Sequence, residues 1–149
     1  MIATINPAVM TDAIESQARI LIAGTATGPL LRLAAPISFW GGVDPKTGTI
    51  ADPRHPDHGA TIAGTILAIP ATIGSSSSSA VMLELLRVGQ APAALLLGTV
   101  DAILTLGVVV AGEMGYGTIP VLGLDDDQLA ALPANGTQLA VAGDTIAAV

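Results

Sequence analysis

Thr61 to Gly89 reads TIAGTILAIPATIGSSSSSAVMLELLRVG, an apolar, β-leaning run that passes a Pro and a Gly, enters five consecutive serines and continues as a helix-patterned segment. Strand signals end at Ile73, whereas Val81, Met82, Leu85 and Leu86 recur at the spacing of one helical face with Glu84 and Arg87 on the other. Gly74 and the serines therefore occupy a turn into a helix. A helix start carries unpaired backbone N–H groups and the positive end of the macrodipole, so this turn suits a carboxylate, a phosphate or a serine alkoxide. A serine run is by composition also the mark of a flexible linker. Its position between a buried strand and an apolar helix, with no further Gly or Pro, argues for an ordered turn.

Working outward, Arg19–Ala23 (RILIA) is expected to be a strand, Gly24 to Pro29 a glycine-bounded turn, and Pro36 an edge or bend. Ser38 to Gly48 (SFWGGVDPKTG) gathers the one Phe and the one Trp beside a Gly pair. Such a loop either lets backbone approach a ligand or partner, which makes Trp40, Gly41 and Gly42 candidate substrate contacts, or plugs a small-residue core. Ala51 to Gly59 (ADPRHPDHG) holds both histidines and reads as a surface loop with His55 and His58 facing solvent; its spacing is not that of a metal site.

Beyond the helix, Gly89 suits a C′ position. Ala93–Leu97 is expected to be a buried strand, Asp101–Leu106 a short helix with Asp101 near its start, and Val108–Ala111 another strand. Gly112–Gly117 reads as flexible, Ile119–Leu122 as a strand, and Asp125–Leu132 as a short acidic helix or turn. Gln138–Val141 and Ile146–Val149 form a hairpin through Gly143. Residues 1–18 are assigned to an N-terminal extension, with a short helix between Thr11 and Ala18, and residues 19–149 to one domain. The layout is mixed α/β with one compact core.

Composition narrows the function. The 149 residues are 51% hydrophobic but only 2% aromatic and 11% charged, so the core is built from Ala, Val, Ile and Leu, and some apolar surface is expected to end against another subunit. A net charge of −7 with five Lys and Arg excludes a nucleic-acid partner, which needs clustered cations. The absence of cysteine removes disulfides, thiolate catalysis and iron–sulfur ligation by this chain. Ala91–Ala111 has about the length of a membrane span, but Asp101 near its middle argues against membrane insertion. With no basic leader before an apolar run, the expected location is the cytoplasm.

A serine nucleophile needs a general base, and the two histidines lie together in the turn-rich loop with no G-x-S-x-G elbow in the chain. A serine base needs several convergent donors, of which a helix terminus supplies up to about 2 kcal/mol. A chain this poor in cations points to a partner that completes the site. Taken together, Ser38 to Gly48 (SFWGGVDPKTG), Gly64 to Pro70 (GTILAIP), Gly74 to Ser79 (GSSSSS), Leu83 to Leu86 (LELL) and Ala91 to Ala94 (APAA) resemble the small subunit, or swivelling domain, of the aconitase X enzymes, which include cis-3-hydroxy-L-proline dehydratase and phosphomevalonate dehydratase. The resemblance covers Gly24 to about Pro120.

The resemblance implies a single compact swivelling β/β/α domain, with mixed sheets and a few short helices, that closes over a cysteine-containing large subunit as a heterodimer or higher assembly. An iron or iron–sulfur centre is then expected on that large subunit and no cofactor on this chain. In the wider aconitase superfamily the corresponding turn reads G-S-S-R-E and its first serine is the base. By position Ser75 becomes the proton acceptor, with Gly74, Ser76 and Ser77 contacting a small carboxylate substrate. Ser77 stands where the arginine would be, so the large subunit is expected to supply the anchoring cation. The implied reaction is dehydration of a hydroxy acid, cis-3-hydroxy-L-proline ranked ahead of phosphomevalonate. A non-catalytic anion-binding or interaction domain on the same scaffold is the alternative.

Overall fold

The computed structural model describes residues 17–149. The proposed helix at Thr11–Ala18 and most of the 1–18 extension lie outside them.

Two tetrapeptides without a polar atom in their side chains set the centre of the sheet. Ile66–Ile69 (β3) and Ala94–Leu97 (β4) are buried at every position, as strands covered on both faces must be. To place them with the rest of the chain in order, the strands are Arg19–Ile22 (β1), Thr25–Arg32 (β2), β3, β4, Val121–Gly123 (β5), Gln138–Ala142 (β6) and Thr145–Ala148 (β7); the helices are Phe39–Gly42 (α1, one turn), Ser78–Arg87 (α2), Ala102–Glu113 (α3) and Asp126–Ala130 (α4). They form one seven-stranded mixed sheet, ordered β1-β5-β4-β3-β2-β6-β7. β2, β3, β4 and β5 run parallel, while β1 pairs antiparallel with β5, and β6 with both β2 and β7.

The crossover helices α2 and α3 cover one face of the sheet. Val81, Met82, Leu85 and Leu86 of α2 and Leu104, Val108 and Ala111 of α3 pack there with Leu67, Ile69, Leu95, Leu97 and Val121. The other face carries Leu30, Ile66, Leu96 and Leu122, and shares a buried cluster with Leu139, Val141 and Ile146 of the terminal hairpin and with Leu132. Both faces are thus closed, which gives the expected α/β domain of mixed sheet and short helices. None of the described helices is long and apolar enough to cross a membrane.

Three expectations about single elements are corrected. Gly24–Pro29 is not a turn, because β2 runs from Thr25 through Gly28 and Pro29. Leu30 N–H donates to Thr137 O on the β6 side, so by alternation the Pro29 nitrogen faces the β3 side, where pairing starts only at Leu30 and no ladder bond is lost. Val108–Ala111 is not a strand but the second half of α3, which also takes in Gly112 and Glu113 of the segment read as flexible. His55 does not face solvent: it is 7% exposed, whereas His58 is exposed as expected. The His55 ring bonds backbone at both nitrogens, Nδ1 accepting from Asp57 N–H at 3.0 Å and Nε2 lying 3.1 Å from Ala35 O. Since Nδ1 accepts, the neutral ring donates through Nε2. The acidic helix and the Gly143 hairpin form where expected, α4 with a capping box between Asp125 and Gln128.

Candidate functional site: the serine turn at the carboxyl edge of the sheet

The parallel strands end on a common edge, and the connections that leave it are the segments after β2, β3, β4 and β5. In open α/β sheets the carboxyl ends of parallel strands are the usual place for a ligand. Here the segments after β2 and β3 are stitched together. Ile37 and Thr72 form a parallel bridge, Ile73 N–H donates to Ile37 O at 2.9 Å and Ile37 N–H to Ala71 O at 3.3 Å. This brings the Phe39–Gly42 turn to the same edge as Ile73–Ser77, and α1 packs against α2.

The aromatic pair splits its duties. Phe39 is 1% exposed and plugs the core, whereas Trp40 is 60% exposed. A sharp reversal separates them, with Trp40 at φ −71, ψ 112 and Gly41 at φ 80, ψ −17, close to a type II turn that demands Gly at its third position. Gly42 is buried, and a Cβ there would stand 3.0 Å from Ile37 Cγ1. Trp40 and the 57% exposed Ile73 leave the edge with two large apolar side chains in the open.

The serines fold as one turn and then a helix. Ser75 O accepts Ser78 N–H at 3.1 Å, closing a turn, and Ser75 Oγ accepts Ser77 N–H at 3.2 Å. Ser77 is the N-cap of α2; its carbonyl takes Ala80 N–H at 3.1 Å and Val81 N–H at 3.3 Å, and its side chain makes no capping bond. Ser79 Oγ donates back to Ser76 O at 3.2 Å. Among the described residues the N–H groups of Gly74, Ser75, Ser76 and Ser79 donate to no other group of the chain. Gly74 and Ser76 are exposed, Ser75 and Ser77 half-buried and Ser78 buried. The Ser75 hydroxyl therefore receives one backbone donor and sits among others still available, at the positive end of α2.

The cationic residues Arg32, the last residue of β2, and Arg19, in register with Gly123 at the end of β5, lie at this edge. Arg87 lies at the far end of α2, about 14 Å from Ser78 by helical rise, where it pairs with Glu84. That pairing holds the Glu84 carboxyl below, and the Arg87 guanidinium above, their ordinary pKa values. The other displaced carboxyl, Asp52, is lowered by the backbone N–H of Arg54 in the histidine loop. Among the described residues no group of three or more His, Asp or Glu could hold a metal ion.

Thr72 and Asp101 are the residues that sequence reading did not bring to the site. Thr72 Oγ1 donates to Asp101 Oδ2 at 2.5 Å. Asp101 was legible as a helix cap, but a hydroxyl inside an apolar run carries no sign of a partner 29 positions away.

A family model described as the aconitase X swivel domain matches residues 15–148. The chain is 47% identical over 117 residues to the cis-3-hydroxy-L-proline dehydratase of Pseudomonas aeruginosa, covering 77% of this chain and 20% of that protein. It is 45% identical to the enzyme of the same name from Hypocrea jecorina, over 85% of this chain and 21% of the other. The chain thus spans about a fifth of the length of these two relatives. To the phosphomevalonate dehydratase small subunit of Methanothermobacter thermautotrophicus it is 34% identical, covering 87% of this chain and 95% of that subunit. Among solved structures, holo-form aconitase X of Thermococcus kodakaraensis superposes with a TM-score of 0.78 at 28% identity, over 89% of this chain and 96% of the other.

Proposed function

From the premise that this chain belongs to the aconitase X swivel-domain family, we propose that it is the swivelling subunit of a hydro-lyase that dehydrates a small hydroxy carboxylate, with Ser75 as the proton acceptor. The observation that carries the assignment to Ser75 is its half-buried hydroxyl, already accepting Ser77 N–H at 3.2 Å beside amides that have no partner among the described residues. Such donors favour an alkoxide over a neutral hydroxyl. In the reaction a C–H proton beside the substrate carboxylate passes to Ser75 Oγ, and its electron pair becomes the new double bond as the hydroxyl departs from the neighbouring carbon. The free amides of Gly74 and Ser76, with Ser77, face the carboxylate, and Trp40 with the Gly41–Gly42 turn closes one side of it.

A larger companion completes the site. The hydroxyproline dehydratases are about five times longer than the stretch they share with this chain, and the archaeal relative is named a small subunit. The outer side of α3 supports the same reading: Ile103, Leu106 and Val109 are exposed at helical spacing, with Val100 just before them, an apolar stripe that a companion would cover. An iron or iron–sulfur centre does not fit the donor set of this chain, which has no cysteine and no described carboxylate or imidazole cluster. Departure of the hydroxyl and the anchoring cation are assigned to that companion, a cysteine-containing large subunit.

Identity favours cis-3-hydroxy-L-proline as substrate, at 47% and 45% against 34% for the Methanothermobacter phosphomevalonate relative and 39–40% over shorter stretches for others of that name. The Methanothermobacter relative is named a small subunit and is covered over 95% of its length, and the small-subunit reading is taken from it. The test is to assemble the chain with its large subunit and assay both hydroxy acids with wild-type and Ser75→Ala protein. Loss of turnover with assembly intact is expected. Full activity of the Ser75→Ala assembly would overturn the role of Ser75, and an inactive wild-type assembly would overturn the substrate class.

A further inference from the structure

The segment that precedes Ser75 is fastened from behind by a different crossover. Asp101 Oδ1 accepts Ile103 N–H at 2.9 Å and Leu104 N–H at 3.0 Å, capping α3, while Oδ2 accepts the Thr72 hydroxyl at 2.5 Å. Thr105 Oγ1 donates to Asp101 O at 2.7 Å and fixes the cap residue's backbone. One turn earlier the same loop grips the β3 end again: Gly98 N–H donates to Ile69 O at 2.9 Å, and the two strands' exits lie so close that a Cβ on Gly98 would stand 2.6 Å from Pro70 O.

Past Ile73, whose N–H donates to Ile37 O, the support stops. Ile73, Gly74 and Ser76 are exposed, and a Cβ built on Gly74 meets nothing within 4 Å. The position of Ser75 is then fixed by two anchors, α2 in front and Thr72 behind. That rear anchor joins the Thr72 side-chain bond to the two backbone bonds of the Ile37–Thr72 bridge, Ile73 N–H to Ile37 O and Ile37 N–H to Ala71 O. Asp101 is fully engaged as an acceptor. Its two oxygens already accept three donors, and the start of α3 offsets its charge.

We propose that Thr72 and Asp101 are positioning residues that hold the serine turn, and through it the Ser75 hydroxyl, in place. The inference rests on the reading of Ser75 as proton acceptor. A bond that served only as a cap for α3 would involve the backbone acceptance alone, so removing the Thr72 hydroxyl separates the two roles. Thr72→Val keeps the branched shape and leaves the Asp101 cap untouched; Thr72→Ser keeps the hydroxyl.

In the enzyme assembled with its large subunit, Thr72→Val is expected to lower kcat on cis-3-hydroxy-L-proline about 10- to 100-fold with KM within about twofold, the scale of an ångström-sized misplacement. Thr72→Ser should restore most of it. Amide hydrogen exchange at Ile73, Ser77 and Ser78, the amides of this stretch whose N–H groups are bonded, should rise at least about 10-fold in Thr72→Val, with exchange in the second half of α2 unchanged. Wild-type exchange at the turn, or raised exchange with wild-type kcat, would overturn the proposal. Should the wild-type assembly dehydrate neither hydroxy acid, the functional reading fails by itself, and exchange at the turn still decides whether this bond holds it.

Discussion

Gly107 of α3 meets Ser79 of α2 at a distance only glycine permits: a Cβ at position 107 would stand 2.5 Å from the Ser79 carbonyl oxygen and 3.0 Å from Met82 Cβ. The two crossover helices touch at the first turn of α2, next to the candidate site. Gly107→Ala has two opposed effects. It raises helix propensity by about 1 kcal/mol, but it drives a methyl group into backbone, and overpacking costs about 1–3 kcal/mol. The clash is with a main-chain atom that cannot swing aside, so net destabilisation is expected, read as a lower urea midpoint at unchanged slope. A higher midpoint would show that the helices separate freely.

Ser75→Ala is expected to reduce dehydratase turnover by about 10²-fold or more, the scale of a lost proton acceptor. Ser79→Ala, which removes a hydroxyl bonded to Ser76 O on the far side of the turn, should stay within about threefold. Sedimentation of both variants with the large subunit checks that assembly is kept. Equal losses in the two would place the chemistry elsewhere.

Trp40 and Phe39 are adjacent in sequence and opposite in role. Phe39→Ala should cost about 3–5 kcal/mol, since the ring is 1% exposed in the core. Trp40→Ala, at 60% exposure, should stay within about 0.5 kcal/mol of wild type in denaturation while weakening substrate or companion binding. Similar stability losses in the two would show that Trp40 is a core residue instead.

His55→Ala leaves Asp57 N–H and Ala35 O without the partners they have now. Asp57 and Ala35 are half-buried, so the cost of about 1–3 kcal/mol for an orphaned buried group is an upper bound for each; a drop in Tm is expected, against almost none for the exposed His58→Ala. Thermal melts of the pair decide it.

The Glu84 carboxyl is held below its ordinary pKa by its hydrogen bond to Arg87, with their charge attraction adding to it. A carboxyl lowered in the folded state stabilises the fold fully above its unfolded pKa and loses that contribution as pH falls through the lower folded value. Both side chains are solvent-exposed, so the effect on stability is small. An NMR titration should therefore show Glu84 returning toward the ordinary glutamate range in Arg87→Ala; no movement would mean the pair does not persist in solution.

Where sequence reading succeeded, the signal was local. β3 and β4 are uninterrupted apolar runs, α2 has one apolar face, Asp125–Leu132 opens on three consecutive acidic residues, and Gly143 punctuates a hairpin. Where it failed, the pattern was blurred or the partner distant. α3 is apolar on its outer side as well, with Ile103, Leu106 and Val109 exposed, so the Val108–Ala111 run lost its helical period and imitated a strand. β2 contains Gly28 and Pro29, residues that usually break a strand, and keeps them because its two edges start pairing at different residues.

The chain by itself determined that a mixed α/β core would present a serine turn at a helix start, because strand burial, helical periodicity and turn chemistry are written in neighbouring residues. Only the folded molecule decided that Thr72 would reach Asp101, that His55 would be sealed against Ala35, and that Ser75 would stay open at the edge while Ser78 was buried. Those outcomes depend on which loops the sheet order brings side by side, and contacts between residues twenty or more positions apart leave no periodicity for a sequence to show.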